Sequence, residues 1–533
     1  MSDRTYVLSY DIGTTGVKTC LFEVEDEIKL IAAEMEGYSL TVYPDGGAEQ
    51  DPDEWWSAIC NTTNRLMNST SVSTSEIAGI SFCSQMQGLV LVDKDGQPVR
   101  KAMSYMDQRA KKQIKELMAY GPQIAGAYIP KLLKSLQITG AVSASVKDPV
   151  YKYKWVEENE PENFARTYKW LDVKEYIICR MTDKFVMTRD SAFGTLLYDV
   201  RKGKEGWSPE MLKMFNVKPE HMAEIIDSTA LVGGLTEKAA DDLGLCEGTP
   251  VFGGGGDASL IGVGAGAVAL GDTHIYCGTS GWVTTVVDKN IVDTSAMIAA
   301  IVGAQNGKLN YFAELETAGK CLEWVKDHLA LDEIDIFLEK TDVASSKESI
   351  FTSLYDYMSH VINKTPAGCD GVIFTPWLHG NRCPFEDPNA RGMFFNISLE
   401  TGKTELIRAV VEGTCMHLRW FLETEDKKTK TSDVLRFVGG GALSDVTSQI
   451  LADCTGRTVE VVASPQNVGA VGAAVISAVG LGMIGSIEEA KKLVPAKKTF
   501  IPNPSLKPIY DKNFAVFKNL YKSNKENFAA LNG

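Results

Sequence analysis

Two short stretches that share one pattern constrain the fold of this chain more than any other feature. Tyr6–Val24 and Thr273–Val287 each contain a β-branched apolar run, a Gly-Thr-(Thr/Ser)-Gly turn and a second β-rich run. This pattern predicts two β-hairpins, with glycine where the turn needs a positive φ angle. Such a turn also presents backbone N–H groups that can bind phosphate. One copy alone is more typical of an ordinary hairpin. Two copies half a chain apart indicate two halves of similar construction, each offering one turn to a ligand between them.

The composition excludes several classes of partner. With 533 residues the chain is long enough for at least two domains, and its formal net charge of −15 argues against binding to nucleic acid or to an anionic membrane. No apolar run is long enough to span a bilayer, and the polar start leads directly into a predicted strand, so we expect neither a membrane segment nor a secretory signal. The 11 cysteines form no CxxC pair and the six histidines form no metal-spaced cluster. We therefore expect a cytoplasmic protein with reduced thiols and no structural zinc.

A glycine run with a single acid opens the second half of the chain. Gly253–Gly256 precede Asp257, and the helical pattern Ala258–Val268 follows. A dinucleotide-binding fingerprint fits only loosely, because an acid inside the loop would repel a pyrophosphate. The alternatives are a plain acidic turn, or a carboxylate on bare backbone at the mouth of a cleft, where a substrate can approach closely.

Further elements surround these features. Asp51 and Pro52 predict the start of a helix that carries Trp55 and Trp56, most simply as core residues. The buried strand Ile77–Phe82 ends in the polar segment Gln85–Gly88, a position where α/β folds bind ligands. The middle of the chain is mostly helical, with one helix predicted at Trp170–Met181 and another after Ser208. We place the domain boundary at the turn-rich Leu243–Pro250, which gives domains 1–250 and 251–533.

The C-terminal part contains a second glycine turn between a strand and a helix. Helices are predicted at Glu316–Leu331 and Glu405–Glu423, the latter with an apolar stripe. A strand at Val434–Val438 then leads into Gly439–Ser444. This arrangement is typical either of a nucleotide site or of close packing between helix and sheet.

Taken together, these motifs resemble those of the FGGY carbohydrate kinases, within the sugar kinase, actin and Hsp70 superfamily, and most of all the xylulokinases. The resemblance runs from about Tyr6 to Leu481, and each motif is weak alone while their order is specific. The matching stretches are Asp11–Gly16, Gln50–Trp56, Gln85–Gly88, Asp107–Arg109, Pro149–Asn159, Gly253–Asp257, Gly278–Gly281 and Gly439–Ser444.

The resemblance implies an α/β fold with two ribonuclease H-like lobes and a cleft between them. It also implies phosphoryl transfer from ATP to a sugar hydroxyl, with Mg²⁺ as cofactor, Asp257 as the catalytic base and Asp11 as the metal-binding carboxylate. The phosphate-binding and nucleotide-binding residues by resemblance are Gly13, Thr14, Thr15, Gly278, Thr279, Ser280, Gly440, Gly441 and Ala442. The residues that contact or frame the sugar, besides Asp257, are Met86, Gln87, Asp107 and Arg109.

The chain departs from the xylulokinase pattern at two positions. It has Gln87 where those enzymes usually have His, and Ala258 where they usually have Asn after the catalytic Asp. Changed hydrogen-bond partners can change which sugar is preferred. D-Xylulose is therefore the first candidate, with L-xylulose, D-ribulose or an erythritol-like polyol as alternatives. A non-kinase ATPase of the actin/Hsp70 type is the alternative from another class. A homodimer is common in the family, but the sequence does not determine the oligomeric state.

Overall fold

The computed structural model describes residues 5–124, 126–329 and 354–533. The C-terminal end of the helix predicted at Glu316–Leu331 lies outside the described residues, and the observed helix covers Gly319–His328.

The N-terminal half is built on a seven-stranded mixed sheet, here called the N-terminal sheet. Its central strand Thr5–Ile12 pairs antiparallel with Gly16–Val24 in the first hairpin and parallel with Ile77–Ser84 on its other side. Pairing of Ile12 with Val17 closes the hairpin around the predicted Gly-Thr turn. The positive φ angle predicted for its glycines is wrong, because neither Gly13 nor Gly16 adopts one. Gly16 is needed instead because a methyl group there would lie 2.7 Å from the carbonyl oxygen of Glu36. The order across the sheet is Leu231–Gly234, Pro250–Phe252, Ile77–Ser84, Thr5–Ile12, Gly16–Val24 and Ile28–Gly37, with Gly255–Gly256 also paired to Ile77–Ser84.

The C-terminal half repeats this construction in an eight-stranded sheet, here called the C-terminal sheet. Thr273–Cys277 pairs antiparallel with Gly281–Val287 in the second hairpin and parallel with Val434–Val438. The order is Val292–Asp293, Ile298–Val302, Leu309–Leu315, Gly281–Val287, Thr273–Cys277, Val434–Val438, Thr458–Val462 and Ala496–Phe500. The two halves therefore share a hairpin with a parallel strand at its side, as the duplicated pattern predicts.

Other strands are short and lie mostly in the middle of the chain. They are Thr41–Val42, Ala48–Gln50, Val90–Val92, Ala102–Met103, Gln123–Ile124, Ala127–Tyr128, Lys169–Leu171, Val186–Thr188, Tyr198–Asp199, Gly206–Trp207, Glu224–Ile226, Ile373–Phe374 and Phe394–Phe395.

The helices cover the sheets and fill the middle region. They are Pro52–Ser69, Lys111–Leu117, Ile129–Thr139, Pro149–Asn159, Pro161–Ala165, Val173–Thr182, Arg189–Gly194, Pro209–Phe215, Glu237–Leu243, Asp257–Gly264, Gly319–His328, Leu354–Lys364, Lys403–Glu425, Asp445–Thr455, Val468–Gly480, Ala490–Leu493 and Lys507–Asn532. None of the helices in the described part of the chain is both long enough and apolar enough to cross a bilayer.

Several predicted helix starts are confirmed by their caps. Asp51 accepts a hydrogen bond from the N–H of Asp53, and Ser208 accepts one from the N–H of Met211. Trp55 and Trp56 are buried core residues. The helix predicted from Trp170 begins later, because Lys169–Leu171 forms a strand with Val90–Val92 and Asp172 then caps the helix.

Strand pairing to the N-terminal sheet continues past the proposed domain boundary between residues 250 and 251. Pro250–Phe252 and Gly255–Gly256 hydrogen-bond to the N-terminal sheet, and the C-terminal sheet begins only at Thr273. Backbone pairing thus assigns the whole glycine run before Asp257 to the N-terminal sheet.

Two helices cross tightly where the halves meet. A methyl group at Gly264 would overlap the carbonyl oxygen of Val468, and one at Gly472 would overlap that of Leu260. These glycines bring the helices Asp257–Gly264 and Val468–Gly480 into backbone contact. Their small apolar side chains form a core cluster with residues of both sheets. The helix that begins at Asp257 is thereby fixed against both halves.

Candidate active site

Asp257 lies at the first position of the helix Asp257–Gly264, directly after the strand Gly255–Gly256. Its Oδ1 accepts a hydrogen bond from the N–H of Ala258 at 2.8 Å. The side chain is half-buried. Desolvation, with a smaller contribution from the negative charges of nearby Asp11 and Glu314, raises the pKa of Asp257 to about 7. A carboxyl group with a pKa near neutrality suits a general base that must take up a proton.

The predicted sugar loop Gln85–Gly88 lies beside this carboxylate. A methyl group at Gly256 would overlap the sulfur of Met86, so the Met86 side chain packs on the backbone immediately before Asp257. Gln87 is half-buried, and its Nε2 lies 3.5 Å from the carbonyl oxygen of Gly194. The structure therefore brings Met86, Gln87 and Asp257 together.

Asp107 and Arg109 are placed differently. Asp107 is fully buried, and its Oδ2 accepts hydrogen bonds from the N–H of Ala48 at 2.8 Å and from Arg109 at 2.7 Å. Arg109 also bonds Glu49 at 2.6 Å, and its guanidinium lies 4.4 Å from the ring centroid of Trp155. The polar groups of both residues thus bind surrounding chain segments. Any role in sugar binding is therefore to support those segments.

Asp11 projects from the end of the first hairpin strand and meets the C-terminal half. A methyl group at Gly469 would lie 2.9 Å from both Asp11 Oδ2 and the Cys83 sulfur. Only a bare glycine allows the start of the helix Val468–Gly480 to approach this carboxylate so closely. Burial raises the pKa of Asp11, while the charge of Lys18 opposes the shift.

The first hairpin turn is braced by its neighbours. Gly13 donates a hydrogen bond to the carbonyl of Gly16 at 2.9 Å, and Gln50 Nε2 donates to the carbonyl of Thr14 at 2.7 Å. Thr15 is exposed. The turn is therefore rigid, with hydroxyl groups near the surface.

The second turn borders a large cavity of about 1010 Å³. Gly278, Thr279, Gly440 and Gly441 line it, and Ser359 and Lys498 lie among the other lining residues. A nucleotide fits this volume, since ligand pockets typically occupy about 300–1,000 Å³. The lining does not include Gly13, Thr14, Thr15, Ser280 or Ala442 among the described residues, and Ala442 is buried at 4% exposure.

Tyr276 links this cavity to the two carboxylates. A methyl group at Gly278 would overlap the Tyr276 hydroxyl, so this side chain lies against the second turn. The negative charges of Asp11 and Asp257 add to the effect of burial and raise the pKa of Tyr276. Both carboxylates therefore act electrostatically on a side chain that packs against the second turn.

The arrangement of Asp11 and Asp257 fits a magnesium ion that is shared with phosphate oxygens. Magnesium is usually held by one or two carboxylates, substrate phosphates and water, so a dense ligand cluster is not required. The described residues contain no group of three or more His, Cys, Asp or Glu side chains that could hold a metal alone. Asp11, cradled against Gly469 and within electrostatic range of Asp257, can supply the single carboxylate.

Comparison with known proteins identifies the family. The model of the N-terminal domain of the FGGY family of carbohydrate kinases matches residues 6–264, and that of the C-terminal domain matches residues 274–481. The chain belongs to the FGGY family of carbohydrate kinases. It is thus a phosphotransferase with an alcohol group as acceptor, and kinases of this family use ATP.

Individual relatives of this FGGY kinase match over nearly the full length. Xylulose kinase of Bacillus subtilis (strain 168) is 28% identical over 528 residues, which cover 99% of this chain and 98% of that protein. Gluconokinase of Bacillus licheniformis is 25% identical over 99% of this chain and 98% of that protein. The crystal structure of ligand-bound xylulose kinase from Lactobacillus acidophilus has a TM-score of 0.83 and 25% identity, covering 99% of this chain and all of that one. The two-lobed α/β fold of the FGGY kinases is confirmed.

The sequence analysis missed several residues that the structure places beside the candidate site residues. Asp190 accepts a hydrogen bond from Gly256, while Asp172 and Lys152 bond the backbone of Gln87. Each lies far in sequence from the residue it contacts. A lysine between two aromatic residues, such as Lys152 between Tyr151 and Tyr153 in the helix Pro149–Asn159, is the one signal that the sequence offers for such a role.

Proposed function

We propose that this FGGY kinase phosphorylates a ketopentose, with D-xylulose as the first candidate. The names of its relatives support this substrate, and the raised pKa of Asp257 beside the Met86–Gln87 loop is the observation that carries the mechanism. Gluconokinases among the relatives make D-gluconate the second candidate.

The nucleotide would bind in the cavity lined by Gly278, Thr279, Gly440 and Gly441. Ser280, Gly13, Thr14 and Thr15 would donate hydrogen bonds to the phosphates from the two turns, and Ala442 would support the adenosine site from below. Bound Mg²⁺ would supply positive charge to the phosphate oxygens. Asp11 would hold this ion, with Lys18 and the N-terminus of the helix at Val468 balancing its charge.

Asp257 would act on the sugar hydroxyl. Its Oδ1 is engaged by the N–H of Ala258, so we assign Oδ2 as the atom that accepts the hydroxyl proton. As that proton moves to Asp257, the sugar oxygen bonds to the γ-phosphorus and the bond to the bridging oxygen of ADP breaks. Alignment and charge neutralisation provide most of the acceleration in such transfers. Met86 and Gln87 would hold the sugar in line, within a frame that includes Asp107 and Arg109.

A coupled assay of ADP release tests this proposal. The panel contains D-xylulose, L-xylulose, D-ribulose, erythritol and D-gluconate, each with ATP and Mg²⁺. We expect D-xylulose to give the highest kcat/KM. Basal ATP hydrolysis that none of these compounds accelerates would contradict the proposal, and a preference for D-gluconate would replace its substrate.

A variant of the base tests the mechanism in the same assay. Asp257→Asn should lose turnover by roughly 10²–10⁴-fold while ATP still binds, because the amide cannot accept the proton. Asp242→Asn is the control, since that exposed carboxylate accepts a hydrogen bond from Trp56 and is not among the charges that shift the pKa of Asp257. Near-normal sugar-dependent rates in Asp257→Asn would exclude Asp257 as the base.

A further inference from the structure

The sugar loop has an unusual backbone at Gln87. Its φ angle is +63°, in the left-handed region that residues other than glycine adopt at an energetic cost. Such a conformation persists only where its surroundings impose it. The contacts around this residue show what imposes it.

Asp172 holds the loop from one side. Its Oδ2 accepts the N–H of Gln87 at 2.8 Å, and its Oδ1 accepts the N–H of Gly88 at 2.9 Å and that of Val173 at 2.8 Å. A methyl group at Gly88 would lie 2.7 Å from Asp172 Oδ1, so a side chain there would push the loop off the carboxylate. One carboxylate therefore binds two successive loop amides and also caps the helix Val173–Thr182.

Lys152 holds the loop from the other side. Its Nζ donates to the carbonyl of Gln87 at 2.7 Å and to that of Ser104 at 2.9 Å. The Lys152 side chain is fully buried and Asp172 is 4% exposed. Both the N–H and the C=O of Gln87 are thus bound by buried groups of opposite charge.

Buried charges are costly, so their placement here needs a reason. Burial lowers the pKa of Lys152 to about 8, and the charge of Asp172 opposes that shift. Burial also raises the pKa of Asp172 to about 7, with the charge of Glu175 adding to the rise. Hydrogen bonds to charged groups are stronger than those between neutral groups. Their strength can offset the cost of the left-handed backbone at Gln87.

The held backbone determines where the neighbouring side chains lie. Gln87 lies against Gly194, and Met86 packs on Gly256 next to Asp257. We propose that Asp172 and Lys152 are positioning residues that impose the left-handed backbone at Gln87 and thereby set which sugar the kinase accepts. This inference rests on the proposed sugar kinase activity. It adds two residues that act on the sugar through the loop and not by contact with it.

Asp172→Asn tests the proposal directly. The amide can accept only through its oxygen, so its NH₂ group would face a loop N–H. We expect the sugar KM to rise by roughly 10- to 100-fold, as misplacement near a reacting centre typically costs. The ATP KM should change less than about twofold. The difference in kcat/KM between the preferred sugar and the other sugars should become smaller. Lys152→Met, which removes the donor to Gln87, should act in the same direction.

Asp453→Asn is the matched control. Asp453 is also a buried carboxylate on a helix, but it accepts hydrogen bonds from the N–H of Asn503 and from Gln449 and none from the sugar loop. It should leave the sugar preference unchanged. If Asp172→Asn folds with a near-normal Tm and keeps the sugar KM and preference, the proposal is wrong. If the ATP KM rises as much as the sugar KM, the proposal is also wrong, because Asp172 would then have only a general structural role.

Hydrogen exchange of the wild-type protein and the Asp172→Asn variant separates this proposal from the activity. The amides of Gln87 and Gly88 should exchange faster in the variant, while those in the helix Val468–Gly480 should not change. Unchanged exchange at both loop amides would refute the positioning role of Asp172, even if a sugar is phosphorylated. Faster exchange in a protein that no sugar activates would support that role and contradict the proposed function.

Discussion

Asp190 accepts a hydrogen bond from the backbone N–H of Gly256 at 2.7 Å, although the two residues lie 66 positions apart in the chain. Asp190 is 1% exposed in the helix Arg189–Gly194, and Thr188 donates to its other carboxylate oxygen. Gly256 directly precedes Asp257. The bond therefore fixes the backbone directly before the carboxylate that we propose as the base, and the charge of Asp190 also raises the pKa of Asp257.

Substitution of Asp190 should separate these two effects. Asp190→Asn keeps an oxygen for the Gly256 N–H but removes the charge, so the pKa of Asp257 should fall and the acidic limb of kcat/KM should move to lower pH. Asp190→Ala also removes the hydrogen bond, and its kcat should fall by about tenfold or more. Steady-state kinetics between pH 5 and 9 measures both. If the acidic limb of kcat/KM does not shift in a well-folded Asp190→Asn variant, the charge of Asp190 does not affect the pKa of Asp257.

The wild-type kinase should lose activity as the pH falls below about 7. Desolvation raises the pKa of Asp257 to about 7, with Asp11, Glu314 and Asp190 adding to the rise, and the base works only when unprotonated. kcat/KM should therefore fall about tenfold per pH unit below that value and level off above it. A rate profile that stays flat down to pH 5 would contradict the assignment. Asp453→Asn should show the wild-type profile.

Gly469→Ala should impair the site of Asp11. The added methyl would lie 2.9 Å from Asp11 Oδ2, so either the carboxylate or the helix must shift. Alanine is otherwise favoured over glycine within helices by about 1 kcal/mol. If Gly469→Ala loses activity but little stability, the cause is therefore the close contact with Asp11.

We expect Gly469→Ala to need several-fold more Mg²⁺ for half-maximal rate, with a lower kcat. Initial rates over a Mg²⁺ titration test this. Gly233→Ala is the control, because its methyl would meet Thr182 at an ordinary 3.7 Å. The same Mg²⁺ dependence in Gly469→Ala and wild type would rule out the close approach as a functional contact.

Gln87→His should change the sugar preference. Histidine tolerates the left-handed backbone better than most residues, so the loop can keep its conformation. A changed hydrogen-bond partner at a sugar hydroxyl should alter the ratio of kcat/KM for D-xylulose over D-ribulose by about tenfold or more. Gln97→His in an exposed turn serves as control. An unchanged ratio would place Gln87 outside the determinants of specificity.

Much of the fold could be predicted from local sequence patterns. The two Gly-Thr turns, the caps at Asp51 and Ser208, and the strand–turn–helix around Gly439 each depend on residues close together in the chain. Backbone preferences act over a few residues, so such patterns are readable without the fold. The predicted start of a helix at Trp170 was wrong because a local pattern takes no account of distant partners. Pairing of Lys169–Leu171 with a distant strand overrode the local helical pattern.

The site was only partly predictable. Met86 packs on the backbone next to Asp257, and the cavity lining includes Gly440 and Gly441 but not Ala442 among the described residues. Asp107 and Arg109 instead bond the chain around Glu49. Sequence identifies which residues carry charge, but it does not show which charges are already paired with one another.

The sequence by itself determined that this chain has two similar halves with glycine turns, one acid after a glycine run, and the motifs of a sugar kinase. Only the tertiary structure decided that Asp190 bonds the backbone of Gly256, and that Asp172 and Lys152 bond the backbone of Gln87. It also decided that the helix start at Gly469 lies against Asp11. The physical reason is that these hydrogen bonds and close approaches join residues tens to hundreds of positions apart. Their geometry comes from sheet pairing and helix crossing, which no local pattern specifies.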